Sequence, residues 1–446
     1  MKYIIIFAVS ITLLSCKKYL DEKPSSDLAI PTSAKEVLAL LDNSTALNGS
    51  WPSAIELGSD DYYITTAQWQ VRPLAERNAY IWAEDVFNEN ERNAWSLTYT
   101  NVYIANVVLD ALKKEGGLNG SQSDLNNAEG QALFYRAFAF YHLLQLFTKP
   151  YNAATAANDP GIPLRLDSDF NKPTTRAALQ QSYDQVINDL KTAVQLLPVT
   201  QEWKTRPSKA AALTLLARIY LIMQKYQEAS AITEQALQSH NSLLDFNTLN
   251  ETLANPISLF NAEVIFHSVL GSVTTLITNA KVDSVLYNAY NTNDKRKTVF
   301  FRRNTDGSYA FKGSYDGSVR LFNGFTSAEL YLMKAELLAR AGNTSDAMNA
   351  LNQLLIKRWK SGTFTPLTAA TAQEALTIIL QERRKELVLR GVRWSDVRRL
   401  NQSSATAITI KRLINNQIIE LLPGSNRYVY KIPDLVIQMT GIPQNP

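Results

Sequence analysis

The chain of 446 residues has little of what most catalytic and metal sites are built from, with one cysteine and three histidines. A single thiol excludes an internal disulfide and a thiolate metal cluster. The histidines, His142, His240 and His267, lie far apart and show no ligand spacing. No HExxH or GxSxG motif is present. We therefore expect no metal, no cofactor and no catalytic residue, and a protein that is not an enzyme.

An excess of charge of one sign is also missing. Charged residues make up 19% of the chain, and 45 Lys and Arg face 41 Asp and Glu, which gives a formal charge of +4. The basic residues are spread along the sequence, so we expect no nucleic acid partner. Hydrophobic residues make up 46% of the chain, which is enough for a large buried core.

No apolar run is long enough to cross a bilayer as a helix, which takes about 20 residues. Residues 3–14 are mostly apolar and are followed by Ser15, which is the pattern of a secretory leader. Cys16 then stands where bacterial lipoproteins carry their acylated cysteine, and the alternative is an ordinary leader with an incidental free thiol. We predict a lipoprotein signal peptide over residues 1–15, lipid attachment at Cys16 and a polar tether over residues 16–31.

Apolar residues recur at helical spacing through most of the mature chain and predict a mainly α fold. Two segments match tetratricopeptide-type helical hairpins, one from about residue 207 to 237 and one that starts at residue 326. Such hairpins need small residues where their helices cross, because a larger side chain would overpack the crossing. The small residues are Ala217 and Ala229 in the first hairpin and Ala335 and Ala347 in the second.

The pattern divides the mature chain into three regions after the tether. Residues 32–238 are predicted to hold the N-terminal helices and the first repeat, and residues 326–446 the C-terminal repeat helices and an extended tail. Between them, residues 239–325 contain short apolar runs, many Asn and Thr, and Gly-containing turns. This composition predicts a loop-rich insertion with a few short strands, where a ligand would bind. Thr326 and Glu329 are predicted to form a capping box at the start of the second repeat.

Five segments, in order along the chain, resemble motifs of the SusD/RagB family of outer-membrane nutrient-capture lipoproteins. They are AEGQALFYRA from residue 128, AAALTLLARIY from residue 210, ELYL from residue 329, ERRKEL from residue 382 with Gly391 and Arg393-Trp394 after it, and the ending Ile432-Pro433 with Gln444-Asn445-Pro446. The resemblance spans essentially the whole mature chain. It implies a lipid-anchored protein on the exterior of the outer membrane that captures glycans. It also implies a SusC-like TonB-dependent transporter as the partner, which the lipoprotein covers as a lid.

The charged segment near residue 386 favours a structural role over a catalytic one. Helical spacing predicts that Glu386 pairs with Arg390 and with Arg383. The same spacing predicts a pair between Asp396 and Arg399. These pairs would lock a junction between two helices.

Sugar capture needs exposed aromatic rings for stacking and polar groups for the sugar hydroxyls. Residues 51–82 and 287–315 offer both, and because neither stretch has a clean helical stripe, we predict loops, where binding residues concentrate. For any single ring the alternative is a place in the core. The candidate ligand-binding residues are Trp51, Tyr62, Tyr63, Trp69, Trp82, Tyr287, Tyr290, Tyr309 and Tyr315.

Three other functions stay open at this point. A member of the same family could capture peptides instead of glycans. A lipid-anchored helical glycoside hydrolase would need two facing carboxylates, and Asp60-Asp61 is the only such pair in the first aromatic stretch. A helical-repeat adaptor would bind protein alone and would dock the transporter without touching a nutrient.

Overall fold

A computed structural model describes residues 31–87, 93–114 and 116–445. The predicted signal peptide, the lipid attachment at Cys16 and the tether up to residue 30 lie outside these ranges. Within them, every helix is too short or too polar to cross a membrane.

Helices form most of the secondary structure, and their repeated pairing defines the architecture. In chain order they are α1 (Ala34–Leu41), α2 (Ser44–Leu47), α3 (Ala54–Leu57), α4 (Thr66–Gln70), α5 (Leu74–Tyr80), α6 (Ala94–Leu112), α7 (Gln122–Phe147), α8 (Leu179–Leu196), α9 (Lys209–Ile222), α10 (Tyr226–Ser239), α11 (Ser284–Asn288), α12 (Arg296–Val299), α13 (Ser327–Arg340), α14 (Thr344–Leu355), α15 (Ala372–Glu386), α16 (Arg393–Leu400) and α17 (Asp434–Thr440).

The strands are short and form two-stranded antiparallel sheets. They are β1 (Tyr62–Tyr63), β2 (Pro160–Pro163), β3 (Arg176–Ala178), β4 (Val264–Phe266), β5 (Lys281–Val282), β6 (Phe301–Arg303), β7 (Tyr309–Phe311), β8 (Phe325–Thr326), β9 (Ile410–Ile414) and β10 (Gln417–Leu421). The pairs are β1 with β5, β2 with β3, β4 with β8, β6 with β7, and β9 with β10.

Helix α7 lies at the centre of the core. Every residue from 130 to 147 in it is buried, the polar Gln131, Arg136, His142 and Gln145 among them. Helices α6 and α8 pack along it on either side. Its N-terminus is capped by Ser121, whose side chain accepts a hydrogen bond from the backbone N–H of Asp124.

Two helical hairpins, α9 with α10 and α13 with α14, pack next to each other through α10 and α13. Ala217, Ala229, Ala335 and Ala347 are all 0% exposed, so no larger side chain fits between the crossing helices. The prediction of a mainly α, tetratricopeptide-like fold is therefore confirmed.

The capping box predicted at the start of α13 is wrong. The Thr326 side chain makes no capping hydrogen bond and accepts one from Arg390 Nη2 at 3.2 Å instead. Glu329 turns into the core, where its carboxylate accepts two hydrogen bonds from Arg218 at 2.9 and 2.6 Å. The buried guanidinium of Arg218 needs a carboxylate partner, and Glu329 supplies it.

Residues 239–325 contain β4 to β7, the start of β8 and the short helices α11 and α12, with loops between them. Residues 51–82, which we predicted as loops, instead contain α3, α4 and α5. These helices are too short to show a periodic stripe. The only local signal is at Thr65, which forms a capping box with Gln68.

The C-terminal stretch is less extended than predicted, because it contains α17, which ends at Gly441 in the left-handed conformation (φ +67°). The last described residues hold the tail against the core. Gln444 exchanges two hydrogen bonds with the backbone of Ile432. Asn445 Nδ2 donates to the carbonyl of Phe147 at 2.9 Å, at the end of α7.

Candidate functional site

The two aromatic stretches meet in space. Strand β1 pairs with β5, with Tyr62 opposite Val282 and Tyr63 opposite Lys281. The pairing continues where the backbone N–H of Asp283 donates to the carbonyl of Asp61 at 2.9 Å. Residues 51–82 therefore lie beside the segment that leads into residues 287–315.

Five of the nine candidate aromatic residues belong to the core, which corrects their prediction as exposed stacking surfaces. None of these five is more than 2% exposed. Where a hydrogen bond of a polar side-chain atom is described, its partner lies inside the protein. Trp82 Nε1 donates to the carbonyl of Gly58 at 2.9 Å, and the Tyr290 hydroxyl to the carbonyl of Lys385 at 2.7 Å. The five residues are Trp51, Tyr62, Trp82, Tyr290 and Tyr315.

The other four candidates reach the surface. Tyr63 is 37% exposed, whereas Trp69 is half-buried and has the guanidinium of Arg77 over its ring at 4.5 Å. Tyr287 and Tyr309 are half-buried and stack on each other, with ring centroids 3.5 Å apart and 15° between the planes. Burial raises the pKa of the Tyr287 hydroxyl above its ordinary value.

A polar cavity of about 340 Å³ lies between the two stretches. Gln68 of α4 lines one side, and residues 278–281 and 302–306 line the rest, together with Ala310 of β7. Within it, Lys281 Nζ pairs with the carboxylate of Asp306. The cavity offers amide, hydroxyl and charged groups, and Tyr63, opposite Lys281 in the β1–β5 pair, lies at its edge.

The hairpin of β6 and β7 carries both arginines that line the cavity. In the register, Arg302 is opposite Ala310 and Arg303 is opposite Tyr309. Because side chains alternate along a strand, these two pairs start from opposite faces of the hairpin, and the Arg303 side chain nevertheless reaches the cavity. Both faces of the hairpin therefore carry an arginine.

Asp60 and Asp61 are not arranged as a catalytic pair. Asp60 pairs with Arg393 at 2.6 Å, and Asp61 pairs with Arg384 at 3.1 Å. Burial would raise the pKa of Asp60, but Arg393 and Arg384 hold it well below its usual value. Both carboxylates are thus committed to arginines. In the described ranges, no group of three or more His, Cys, Asp and Glu is arranged to hold a metal ion.

The ion pairs predicted for Glu386 are wrong. Helix α15 ends at Glu386, so Arg390 is not one helical turn further on, and Arg383 pairs with Asp396 at 2.8 Å. Glu386 instead accepts hydrogen bonds from residues distant in sequence, Arg296 at 3.1 Å and Arg358 at 2.9 Å. The predicted pair between Asp396 and Arg399 is present at 2.8 Å.

A buried carboxyl group on α3 gives the fold a pH dependence. Glu56 is 0% exposed, and its side chain accepts hydrogen bonds from the Ser59 hydroxyl at 2.5 Å and from the backbone N–H of Gly391 at 2.7 Å. Burial, and then the nearby carboxylate of Asp61, raise the pKa of Glu56 to about 8. The folded chain therefore holds this proton more tightly than the unfolded chain does.

We expect Glu56→Gln to remove this pH dependence. Between the ordinary glutamate pKa and about pH 8, the folded chain keeps a proton that the unfolded chain has lost. The wild type should therefore lose about 1.4 kcal/mol of unfolding free energy per pH unit relative to the variant, until the loss levels off above pH 8. Urea unfolding of both proteins at pH 6, 7, 8 and 9 measures the difference. A difference that stays constant across this range would contradict the assignment.

Comparison with known proteins agrees with this helical-repeat architecture. Residues 18–221 match the family model SusD-like_3, described as starch-binding and associating with the outer membrane, and residues 278–431 match the model of the SusD family, SusD_RagB. The chain belongs to the SusD/RagB family.

Individual relatives cover nearly the whole chain. SusD-like protein P2 of Formosa agariphila is 26% identical over 477 aligned positions, which cover 90% of each chain. A solved SusD superfamily protein from Bacteroides vulgatus has a TM-score of 0.76 at 21% identity, with 93% of this chain and 99% of that chain covered. A solved laminarin binding SusD-like protein has a TM-score of 0.69 at 20% identity, with 93% and 98% covered. At these identities, the solved structures show a shared fold.

Proposed function

We propose that the chain is a cell-surface lipoprotein that captures oligosaccharides and delivers them to a SusC-like TonB-dependent transporter of the outer membrane. Family membership supports this function, as does the starch-binding description of the model that matches residues 18–221. The laminarin binding protein with the same fold also supports it. In this proposal Cys16 carries the lipid anchor, the protein faces the cell exterior, and it performs no catalysis.

The observation that carries the proposal is the polar cavity beside exposed aromatic rings. Its volume of about 340 Å³ is within the size range of small-molecule sites. Gln68, Asn279 and Asn304 can exchange hydrogen bonds with sugar hydroxyls. Tyr63 and Tyr309, which Tyr287 supports by stacking on it, provide apolar ring surface for sugar C–H groups. The residues that line this cavity do not provide a pair of carboxylates for glycoside hydrolysis.

We expect Tyr63→Ala and Tyr309→Ala each to weaken glycan binding about tenfold. A sugar ring that stacks on one tyrosine buries on the order of 100 Å², worth about 2.5 kcal/mol before the costs of association reduce it. Calorimetric titration of the unlipidated mature chain with a panel of oligosaccharides and peptides measures the change. Trp203→Ala is the control, because Trp203 is 53% exposed and lies outside the site.

Each result of this titration has a distinct meaning. Glycan binding that both tyrosine variants leave intact would place the site elsewhere. Binding of peptides without glycans would favour peptide capture. Failure to bind either class would favour an adaptor that docks only protein.

A further inference from the structure

Within the part of the chain that the structure describes, the two arginines of strand β6 have no anionic partner. Arg302 and Arg303 are exposed, and among the described residues neither has a carboxylate oxygen within the 4.0 Å that defines an ion pair. The Arg302 side chain reaches the amide oxygen of Asn304, at 3.5 Å. By contrast, the buried Arg218 and Arg358 are each paired with a glutamate.

The carboxylates around the cavity are already committed to other groups. Asp306 pairs with Lys281, which makes that pair neutral. Asp283 lies 3.6 Å from Arg384, which also pairs with Asp61. Among the charged side chains that line the cavity, this pairing leaves the positive charges of the two β6 arginines without a negative partner.

Arginine suits the recognition of planar or tetrahedral oxyanions. Its guanidinium presents several N–H donors in a fixed fork that matches a carboxylate or a sulfate ester, and such charge-assisted hydrogen bonds are roughly twice as strong as neutral ones. Arg302 and Arg303 both line the cavity, and Arg303 lies across from Tyr309. A sugar stacked near Tyr309 would thus be within reach of a guanidinium.

We propose that this site binds an acidic oligosaccharide, and that Arg302 and Arg303 recognise its carboxylate or sulfate ester groups. The inference rests on the proposed function and specifies the class of its ligand. It predicts that the charge on the sugar, and not only its shape, determines affinity. Because the arginines are exposed, the interaction should weaken as salt screens it.

Matched pairs of oligosaccharides test this inference. Oligogalacturonate is compared with its methyl ester, and a sulfated oligogalactan with its desulfated form, by calorimetry with the unlipidated mature chain in 50 mM and 300 mM NaCl. We expect the acidic member of at least one pair to bind at least tenfold more tightly than the neutral member. The pair that shows the preference identifies the anion as a carboxylate or a sulfate ester.

Variants then assign the preference to the two residues. Arg302→Gln with Arg303→Gln should abolish the preference for the acidic member and leave the Tm unchanged. Arg427→Gln removes one positive charge from another exposed position and should preserve the preference. Equal binding of acidic and neutral members, or a preference that survives the double substitution, would overturn the inference while leaving glycan capture intact. Absence of any glycan binding would overturn both.

Discussion

Replacing Glu386 with alanine should lower the free energy of unfolding by about 3–5 kcal/mol, the range for breaking a buried ion pair from one side. The Glu386 side chain is 0% exposed, and so are those of its partners Arg296 and Arg358. Removal of the carboxylate takes one negative partner from each of two buried guanidinium groups, where water cannot solvate their charge. Thermal and urea unfolding of the variant measure the loss.

The effect should be large because Glu386 connects separate parts of the chain. Arg296 also pairs with Asp294 at 2.7 Å and lies in residues 239–325. Arg358 follows α14 and also pairs with Glu263 at 2.9 Å. Burial would raise the pKa of Glu386, but Arg358 and Arg296 hold it below its usual value. Its contribution to stability is therefore present above the ordinary glutamate pKa and is lost as the pH falls through the lowered value.

A surface ion pair provides the control for this prediction. The Glu202 side chain is 70% exposed and lies 3.6 Å from Arg206. Glu202→Ala should change the unfolding free energy by less than about 1 kcal/mol. A Glu386→Ala variant with wild-type stability and lost glycan binding would contradict the structural role and make Glu386 a binding residue.

The parts of the fold that follow from local periodicity could be predicted from the sequence. Ala217 and Ala335 fall at matching places in two repeated patterns, and the close crossing that requires them is a property of each hairpin alone. Ala229 and Ala347 match in the same way on the second helix of each hairpin. In both cases the signal and its consequence lie within a few tens of residues.

Interactions between distant parts of the chain could not be predicted in this way. The partners of Glu386 are 90 and 28 residues away in sequence, and helical spacing favoured nearer arginines. The pattern at Thr326 indicates a helix cap because it, too, takes account only of neighbouring residues. A charged side chain that becomes buried pairs with whatever the tertiary fold brings to it, and spacing along one helix does not contain that information.

The candidate site likewise has parts that the local sequence indicates and parts that depend on the tertiary fold. The sequence indicated the two aromatic stretches, and the β1–β5 pair brings them together. It did not indicate that Trp51 and Trp82 are enclosed while Tyr63 is exposed, because short helices and two-residue strands have no period long enough to show which face is buried. Nothing in the sequence indicated that Gln68 and Asn279 line a cavity, since polar residues on short surface elements are usually just solvated.

The junction around Trp394 should be as sensitive to substitution as the Glu386 cluster. Trp394 is 0% exposed, stacks on Tyr430 with ring centroids 5.8 Å apart, and donates from Nε1 to the carbonyl of Gln145 at 3.2 Å. A Cβ atom added at Gly58 would lie 2.9 Å from its ring, so the backbone of the N-terminal part also packs closely on it. One side chain thus holds α7, α16, the N-terminal part and the C-terminal tail together.

Trp394→Ala should therefore cost about 3–5 kcal/mol of unfolding free energy, from lost apolar burial and an unfilled cavity. Trp203→Ala, at a position 53% exposed, should cost far less. Trp394→Phe separates packing from hydrogen bonding. The carbonyl of Gln145 also accepts from Arg398, so loss of the indole N–H leaves that oxygen paired, and phenylalanine should recover more than half of the loss. Equal losses in the alanine and phenylalanine variants, measured by urea unfolding, would show that the hydrogen bond and not the ring packing holds this junction.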